Sequence, residues 1–322
     1  MKIIFAGTPD YAVPSLKALL ALKPVHEVVG IVTQPDRPKG RSITPSPPPV
    51  KAAALEAGFP AERIFQPKSI NMKETLEQLR ALNPDVLCVV AYGGLLKDAA
   101  LTLAKLCPIN AHGSLLPKYR GASPIQAALL NGDPETGVSI MKMVRELDAG
   151  PELLRKVIPI APDETAGTLH DKLAELSAAC FVDAIARLEA GPVTFIEQDH
   201  SLATHVGKLE KDASIIQWQR PAKSLECFIR AMTPWPGAWT RLNSQDGKSS
   251  KRARIAKAAV SAQKLEPGQW VLDEKGTALL AGAGDGHALA ISRIQLEGAK
   301  ELSVQEVFNG AGRTLGKAGR LA

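Results

Sequence analysis

Short, nearly all-apolar runs alternate with helical patterns along the first half of the chain. The runs predict buried strands over residues 2–6, 27–33, 63–66, 85–91, 107–112 and 137–143. Apolar residues recur every three or four positions in the segments that predict helices, over residues 13–22, 72–82, 124–130 and 165–190. Because strands and helices alternate, this part of the chain is expected to form an α/β domain with a doubly wound parallel sheet.

The pattern changes after residue 206. One short helix is predicted over residues 225–232. Strand-like runs broken by Gly, Asp and Asn follow at residues 235–242, 253–260, 268–272, 278–281 and 288–294. Such spacing predicts a small β-barrel or sandwich. Residues 192–206 have no clear pattern, so we expect a first domain over 1–191, a linker over 192–206 and a second domain over 207–322.

Charge is unevenly distributed along the chain, whose formal net charge is +6. Residues 1–206 hold 21 Lys and Arg against 22 Asp and Glu, whereas residues 207–322 hold 18 against 11. This excess of positive charge favours a polyanionic partner, and a merely solubilising basic surface is the alternative. Arg252 and Arg254 would share one face of a strand, beside Lys251 and with no acidic residue nearby in the sequence.

Several kinds of site are absent from the sequence. There is no P-loop, no Gly-x-Gly-x-x-Gly fingerprint and no Gly-x-Ser-x-Gly elbow. No run of 18 apolar residues predicts a membrane span. The four cysteines are widely spaced in apolar surroundings, which favours reduced thiols in a cytoplasmic protein and argues against a metal site.

The most distinctive polar residues lie where a predicted strand ends. Asn110 and His112 are two positions apart, so they point to the same face, and a Gly-rich loop follows them. Asp148 follows the next predicted strand and precedes Gly150. An amide, an imidazole and a carboxylate suit acyl transfer to an amine, which needs oxyanion donors and proton transfer. The alternatives are a polar rim for the Asn-His pair and a loop-capping role for Asp148.

Ordered motifs give the chain a specific resemblance. The run from Asn110 to Gln126 reads Asn-Ala-His-Gly-Ser-Leu-Leu-Pro-Lys-Tyr-Arg-Gly-Ala-Ser-Pro-Ile-Gln, and Leu147-Asp148-Ala149-Gly150 follows. With Gly-Val-Ser-Ile-Met at 137–141, these motifs resemble the folate-dependent formyltransferases. Phe-Ala-Gly-Thr-Pro at 5–9, Thr-Gln-Pro-Asp-Arg-Pro at 33–38 and Thr-Pro-Trp-Pro at 233–236 narrow the resemblance to the family that formylates methionyl-tRNA.

The resemblance implies a Rossmann-like domain that binds 10-formyltetrahydrofolate and an OB-like barrel that helps to hold the initiator tRNA. It implies an enzyme that transfers a formyl group to the α-amino group of methionyl-tRNA for translation initiation. Asn110, His112 and Asp148 match the family's catalytic residues. The folate-contacting loop corresponds to Ser114, Leu115, Leu116 and Pro117. We expect a cytoplasmic monomer that uses no metal.

Two segments depart from the family pattern. The Pro-rich loop 36–51 resembles a tRNA-contacting insertion, but Ser42 and Ile43 stand where the family has more cations. Arg41 is nevertheless expected to approach the acceptor end of the tRNA, and Lys251, Arg252 and Arg254 to contact its phosphates. The tail from Gly310 differs from the usual ending, and no role is assigned to it.

Two other functions are compatible with the sequence. One is a folate-dependent formyltransferase that acts on a glycinamide nucleotide or a sugar amine, which would share the Asn, His and Asp residues. That alternative leaves the basic C-terminal region and the loop 36–51 unexplained. The other is a nucleic-acid-binding module with a regulatory first domain, and the Asn110, His112 and Asp148 set argues against it.

Overall fold

The computed structural model describes residues 1–38 and 43–322, so Arg41 lies outside the described residues. The chain forms two compact units. The first comprises Met1–Pro124, Glu135–Pro159 and His170–Val206, and the second comprises Ile125–Pro134, Ile160–Leu169 and Gly207–Ala322. Residues 192–206 belong to the first unit by their contacts. The domain boundaries expected from the sequence, 1–191, 192–206 and 207–322, stay a prediction.

The elements up to Val206 alternate as the sequence pattern indicates. The strands are β1 (Lys2–Gly7), β2 (Glu27–Val32), β3 (Arg37–Pro38), β4 (Pro45–Ser46), β5 (Ile64–Phe65), β6 (Val86–Val90), β7 (Cys107–His112), β8 (Arg120–Gly121), β9 (Glu135–Lys142), β10 (Glu152–Pro159) and β11 (His205–Val206). The helices are α1 (Val13–Leu20), α2 (Pro49–Glu56), α3 (Lys73–Ala81), α4 (Asp98–Leu101), α5 (Pro124–Asn131) and α6 (Ala166–Glu189). Within the loop expected over 36–51, β3 and β4 pair, and α2 begins at Pro49 because proline is tolerated in a first helical turn.

The main sheet of the first unit has the strand order β10-β9-β7-β6-β1-β2-β5. The five strands from β7 to β5 are parallel, which confirms the Rossmann-like fold class. By contrast, β9 is antiparallel to β7 and β10 is antiparallel to β9. The short connection from Met143 to Pro151 is long enough only for an antiparallel return, so the sheet is mixed at this edge. The sequence pattern did not predict β10, because Glu-Leu-Leu-Arg-Lys-Val-Ile-Pro is neither a continuous apolar run nor a strict alternation of apolar and polar residues.

The central strands explain why a ligand would approach their ends. Every residue of β6 and β7 is buried, as expected for strands that are covered on both faces. In such sheets ligands bind beyond the carboxyl ends of the strands, where loops replace packed helices. Asn110 and His112 lie at the carboxyl end of β7.

The part of the second unit that begins at Gly207 is a closed barrel accompanied by two α-helices. Its elements are α7 (Ala222–Met232), β12 (Ala238–Ser244), β13 (Ser250–Lys264), β14 (Gln269–Leu272), β15 (Leu279–Gly282), β16 (His287–Leu296), β17 (Glu301–Ser303), α8 (Val304–Asn309) and β18 (Ala318–Leu321). The strand order is β13-β12-β18-β14-β15-β16, and β16 pairs with β13 to close the ring. These pairs are antiparallel and surround an apolar core that includes the fully buried Trp270. The predicted small barrel is therefore confirmed.

The cysteines are consistent with reduced, buried thiols. All four are free and buried. Burial raises the pKa of each thiol, that of Cys180 to about 11, so none is a thiolate at neutral pH. Across the part of the chain that the structure describes, no helix has the length and apolar character to cross a membrane.

A buried carboxylate on α7 gives the second unit a pH-dependent contribution to stability. Glu226 is 7 % exposed and is bonded to Arg230 and, at 2.8 Å, to Lys223. Burial alone would raise the pKa of Glu226, but the hydrogen bonds from Arg230 and Lys223 hold it below its ordinary value. The folded state therefore favours the ionised carboxyl. Its contribution is complete above the ordinary carboxyl pKa and is lost as the pH falls through the lowered value.

We therefore expect Glu226→Ala to destabilise the second unit by about 3 kcal/mol at neutral pH, because Arg230 loses its buried partner. The difference from the parent should shrink as the pH falls through the acidic range. Urea unfolding followed by tryptophan fluorescence measures this unit selectively, because all four tryptophans lie within residues 207–322. Lys223→Ala is the matched control and should change stability by less than about 1 kcal/mol. An unfolding difference that does not vary with pH would contradict the role of the ionised carboxyl.

Candidate active site

The predicted catalytic side chains meet at the end of β7. Asn110 and His112 are 9 % and 6 % exposed, and strand alternation places both on one face. Asp148 lies on the connection between β9 and β10. Its Oδ2 atom is 3.6 Å from Nδ1 of His112. The structure therefore brings together the three residues that were singled out in sequence.

Both ring nitrogens of His112 face an oxygen atom. Nε2 donates a hydrogen bond of 2.9 Å to the backbone carbonyl of Tyr119. Because a carbonyl oxygen only accepts, Nε2 carries a hydrogen, and Nδ1 is the nitrogen that gains or loses a proton. Nδ1 faces the carboxylate of Asp148 at an ion-pair distance. A protonated imidazole is thus paired at both nitrogens.

Asp148 is held in an uncommon backbone conformation. Its φ is +51°, in the left-handed region that few residues other than glycine adopt. In this conformation Oδ2 accepts a hydrogen bond of 2.8 Å from the backbone N–H of Gly121. The same oxygen faces His112. The strained backbone and the hydrogen bond together fix where the carboxylate lies.

Asn110 differs from His112 and Asp148 because its side-chain amide is available for a hydrogen bond to a ligand. Within residues 1–38 and 43–322, no hydrogen bond joins its side chain to another residue, and its polar atoms are not among the fully buried atoms that lack a partner, so they lie at the surface of the site. A nearly buried amide without a partner has donors to offer to a ligand. Asn110 is therefore the strongest candidate for an oxyanion donor at this site.

The loop expected to contact folate divides into structural and exposed parts. Ser114 is fully buried and donates a hydrogen bond of 2.6 Å to the carbonyl of Lys118. Leu116 is also buried, and its backbone N–H bonds to Oγ of Ser139 at 3.1 Å. Leu115 and Pro117 remain partly exposed. Only these two side chains of the loop are placed to pack against a ligand, whereas Ser114 and Leu116 shape the turn.

The site includes two residues that the sequence reasoning did not select. Arg120 and Gln198 are both 5 % exposed and are joined by hydrogen bonds of 3.2 and 2.7 Å. Arg120 belongs to the run from Asn110 to Gln126, and that position could have indicated it. Gln198 lies in the segment without periodicity, where no pattern in a single sequence could have indicated it.

The predicted phosphate-binding residues lie on β13 of the second unit. Arg252 and Arg254 share a face, but each meets an acid from further along the chain. Nη1 of Arg252 is 3.1 Å from Glu297, and Nη2 of Arg254 is 3.0 Å from Glu301. Both arginines thus have acidic partners that the neighbouring sequence does not show, because the end of β16 pairs with β13 and β17 pairs with β16. Their contact with RNA stays a prediction.

Arg252 and Lys251 are not equivalent in this cluster. The guanidinium of Arg252 also stacks on Trp239, 4.5 Å from the ring centroid, which fixes its position. Lys251 is half-buried and forms no ion pair within the described residues. Its ammonium group is the least engaged positive charge of the three residues predicted to bind RNA.

Solved structures with a similar fold include two whose descriptions name a folate compound. HypX from Aquifex aeolicus in complex with tetrahydrofolic acid has a TM-score of 0.61 at 16 % identity, over 96 % of this chain and 47 % of that chain. WlaRD, a sugar 3N-formyl transferase studied with dTDP and 5-N-formyl-THF, has a TM-score of 0.65 at 17 % identity, over 93 % of this chain and 99 % of that chain. Similarities at this level of identity establish the fold alone.

Other known proteins are far more similar to this chain in sequence than HypX and WlaRD are. The model of the formyl transferase family matches residues 1–185. The model of the formyl transferase C-terminal domain matches residues 208–312. A methionyl-tRNA formyltransferase of Pseudomonas putida (strain GB-1) is 44 % identical over 98 % of this chain and 100 % of its own length. One from Desulfotalea psychrophila is 46 % identical over 97 % and 93 %. The chain belongs to the formyl transferase family and, within it, to the methionyl-tRNA formyltransferases.

Proposed function

We propose that this chain transfers the formyl group of 10-formyltetrahydrofolate to the α-amino group of initiator methionyl-tRNA. The observation that carries the proposal is the meeting of Asn110, His112 and Asp148 at the end of β7, in a chain related over its full length to methionyl-tRNA formyltransferases. The reaction prepares the initiator tRNA for translation, so the protein would act in the cytoplasm.

The reaction forms one bond and breaks another at the same carbon. The amine nitrogen of methionine binds the formyl carbon, and the bond from that carbon to the donor nitrogen breaks. One proton leaves the amine and one is needed by the departing nitrogen. Negative charge develops on the formyl oxygen during this exchange, and a positioned donor stabilises it. The unpartnered amide of Asn110 suits that role.

His112 and Asp148 are suited to the proton transfers. Nδ1 of His112 binds the proton that the amine gives up, and Asp148 stabilises the resulting imidazolium from 3.6 Å. The proton is then available to the departing nitrogen. Nε2 keeps the ring fixed because its hydrogen bond to Tyr119 holds in either protonation state. A positive imidazolium beside Asn110 also favours the developing oxyanion.

The formyl donor would lie against the loop that follows β7. Its flat, largely apolar rings suit contact with Leu115 and Pro117, the two partly exposed side chains of that loop. Ser114 and Leu116 would act indirectly, by holding the turn. The donor supplies an activated formyl group on nitrogen, and the chain supplies orientation and charge stabilisation.

The activity is tested by incubating the purified protein with labelled 10-formyltetrahydrofolate and charged initiator tRNA. Labelled formylmethionyl-tRNA is the expected product. A glycinamide nucleotide and an amino sugar nucleotide serve as alternative acceptors in parallel reactions. Formyl transfer to one of these, with none to methionyl-tRNA, would overturn the proposal in favour of another amine formyltransferase. Binding of uncharged tRNA without any transfer would favour a nucleic-acid-binding module.

The positive charge of the second unit is proposed to hold the body of the tRNA. Residues 207–322 carry the whole excess of positive charge, and RNA phosphates release counterions when cations neutralise them. Lys251 is the main candidate on β13 because Arg252 and Arg254 are paired with acids. Arg41 remains a proposed contact for the acceptor end.

Replacement of Lys251, Arg252 and Arg254 by alanine should raise the KM for methionyl-tRNA and leave kcat nearly unchanged. The dependence of log KM on log salt should become less steep, by about one for each phosphate that the cluster no longer neutralises. Lys251→Ala alone should account for most of the change. The control is Lys275→Ala, which removes an exposed lysine from the turn between β14 and β15. A salt dependence equal to that of the parent would exclude contact between this cluster and RNA.

A further inference from the structure

Residues 196–206 run past the active site and make regular contacts at both ends. Ile196 forms an antiparallel bridge with Glu152, with backbone hydrogen bonds of 2.7 and 2.8 Å. At the other end, β11 pairs in parallel with β8. The segment is thus joined to the start of β10 and to the loop that holds Gly121.

Gln198 is the buried centre of this segment. Its Oε1 atom accepts hydrogen bonds from Nε and Nη2 of Arg120, at 3.2 and 2.7 Å. Its Nε2 atom donates to the backbone carbonyls of Asp148 and Gly150, at 2.9 and 2.7 Å. A guanidinium only donates and a carbonyl only accepts, so the amide has one consistent orientation. Both of its amide hydrogens and both lone pairs of its oxygen are used.

These bonds act on the backbone that sets the position of the catalytic carboxylate. Asp148 has a φ of +51°, a conformation that persists only when its surroundings enforce it. Gln198 binds the carbonyl of Asp148 and that of Gly150 two residues later, so it fixes the turn on both sides of Ala149. The turn has no spare room, because a Cβ at Gly150 would lie 1.8 Å from the carbonyl of Lys142.

The same segment also places the group that binds the carboxylate. Gly121 donates its N–H to Oδ2 of Asp148, and Gly121 is paired with Val206 in the β8–β11 ladder. A Cβ on Gly121 would lie 2.2 Å from the carbonyl of Val206, so this pairing is close. Residues 196–206 therefore position both residues of this hydrogen bond. Val206 holds Gly121, which donates it, and Gln198 holds Asp148, which accepts it.

We propose that Gln198 is a positioning residue that holds Asp148 in the conformation needed to face His112. The inference rests on the proposed formyl transfer for its kinetic consequences. Gln198 does not touch the reacting atoms. It acts through the backbone of the turn between β9 and β10, and Arg120 orients its amide. The residue type matters, because one side chain must both accept from a guanidinium and donate to two carbonyls.

Gln198→Glu separates the bond that Gln198 accepts from Arg120 from the bonds that it donates to the two carbonyls. A carboxylate pairs with Arg120 at least as well as an amide, but it has no hydrogen to give to the carbonyls of Asp148 and Gly150. We expect kcat to fall roughly tenfold to a hundredfold, as small displacements of catalytic groups do, with both KM values within about twofold of the parent. Gln198→Met, which removes both functions, should lose at least as much. Glu197→Gln alters the exposed neighbouring residue and should leave kcat unchanged.

A double-variant comparison identifies the path of the effect. If Gln198 acts through Asp148, adding Gln198→Glu to Asp148→Asn should change kcat by less than about twofold. A further decrease as large as in the parent background would overturn the proposal, because Gln198 would then act independently of Asp148. Unchanged kcat in Gln198→Glu would overturn it as well.

One measurement does not depend on the activity. The backbone amide of Gly121 donates to Asp148, so its NMR resonance reports whether the carboxylate is in place. Gln198→Glu should shift this resonance in the free protein, and Glu197→Gln should not. An unmoved Gly121 resonance in Gln198→Glu would refute the positioning role whichever amine the enzyme formylates. Failure of the parent protein to transfer a formyl group would refute the proposed function alone.

Discussion

Replacement of His112 by alanine is expected to lower kcat for formyl transfer by about a hundredfold or more. The variant loses the nitrogen that binds the transferred proton and the positive charge beside the developing oxyanion. The binding of tRNA should stay near that of the parent, since the basic excess lies in residues 207–322. Steady-state kinetics with both substrates, together with tRNA binding by filter retention, measure these quantities.

Asn110→Ala should lose a similar factor, because it removes the free amide that would bind the formyl oxygen. Asp148→Ala should be no milder, because it removes the carboxylate that stabilises the His112 imidazolium. His26→Ala is a suitable control, since it alters a buried histidine that contacts the amino terminus and Glu189 rather than the site. If His112→Ala kept most of the parent's kcat, the catalytic assignment of this histidine would be wrong.

The parts of this site that could be read from sequence depend on local geometry. Asn110 and His112 share a face because a strand alternates its side chains, and their position at a strand end followed from the apolar run before them. The parallel strands could be predicted because complete burial leaves an almost continuous apolar sequence, as in β6. Rules of this kind need only a few neighbouring residues.

The parts that could not be read depend on contacts between distant segments. Gln198 meets Asp148 across 50 positions, and its segment carries no periodicity to show that it is packed. Arg254 is neutralised by Glu301, which is 47 positions away and belongs to a different strand. A stretch without acids in sequence can therefore have acids beside it in the fold. The direction of β9 and β10 was likewise fixed by pairing rather than by composition.

The carboxyl-terminal tail is the clearest example of this limit. No role followed from its sequence, yet β18 lies between β12 and β14 and completes the barrel. Gly319 sits where the three strands meet, opposite Ser244 on one side and Trp270 on the other. Its lack of a side chain lets β18 approach the core, in which Trp270 is fully buried.

Gly319→Val is expected to destabilise the second unit by about 3 kcal/mol or more. A Cβ at this position would lie 1.9 Å from the carbonyl oxygen of Asn243 and 2.7 Å from Nε1 of Trp270. That indole nitrogen donates a hydrogen bond of 3.1 Å to the same carbonyl. The new side chain must therefore displace either the backbone of β12 or the largest residue of the core, and both changes disturb the closure of the barrel.

The effect is measured by urea unfolding with selective excitation of tryptophan, because every tryptophan of the chain lies in the second unit. The midpoint should fall well below that of the parent, and emission from the buried Trp270 should shift towards that of a solvated indole. Arg320→Ala is the matched control, since its exposed side chain lies on the next residue of the same strand. Its free energy of unfolding should stay within about 0.5 kcal/mol of the parent. If Gly319→Val unfolded together with this control, the close packing of β18 against Trp270 would be refuted.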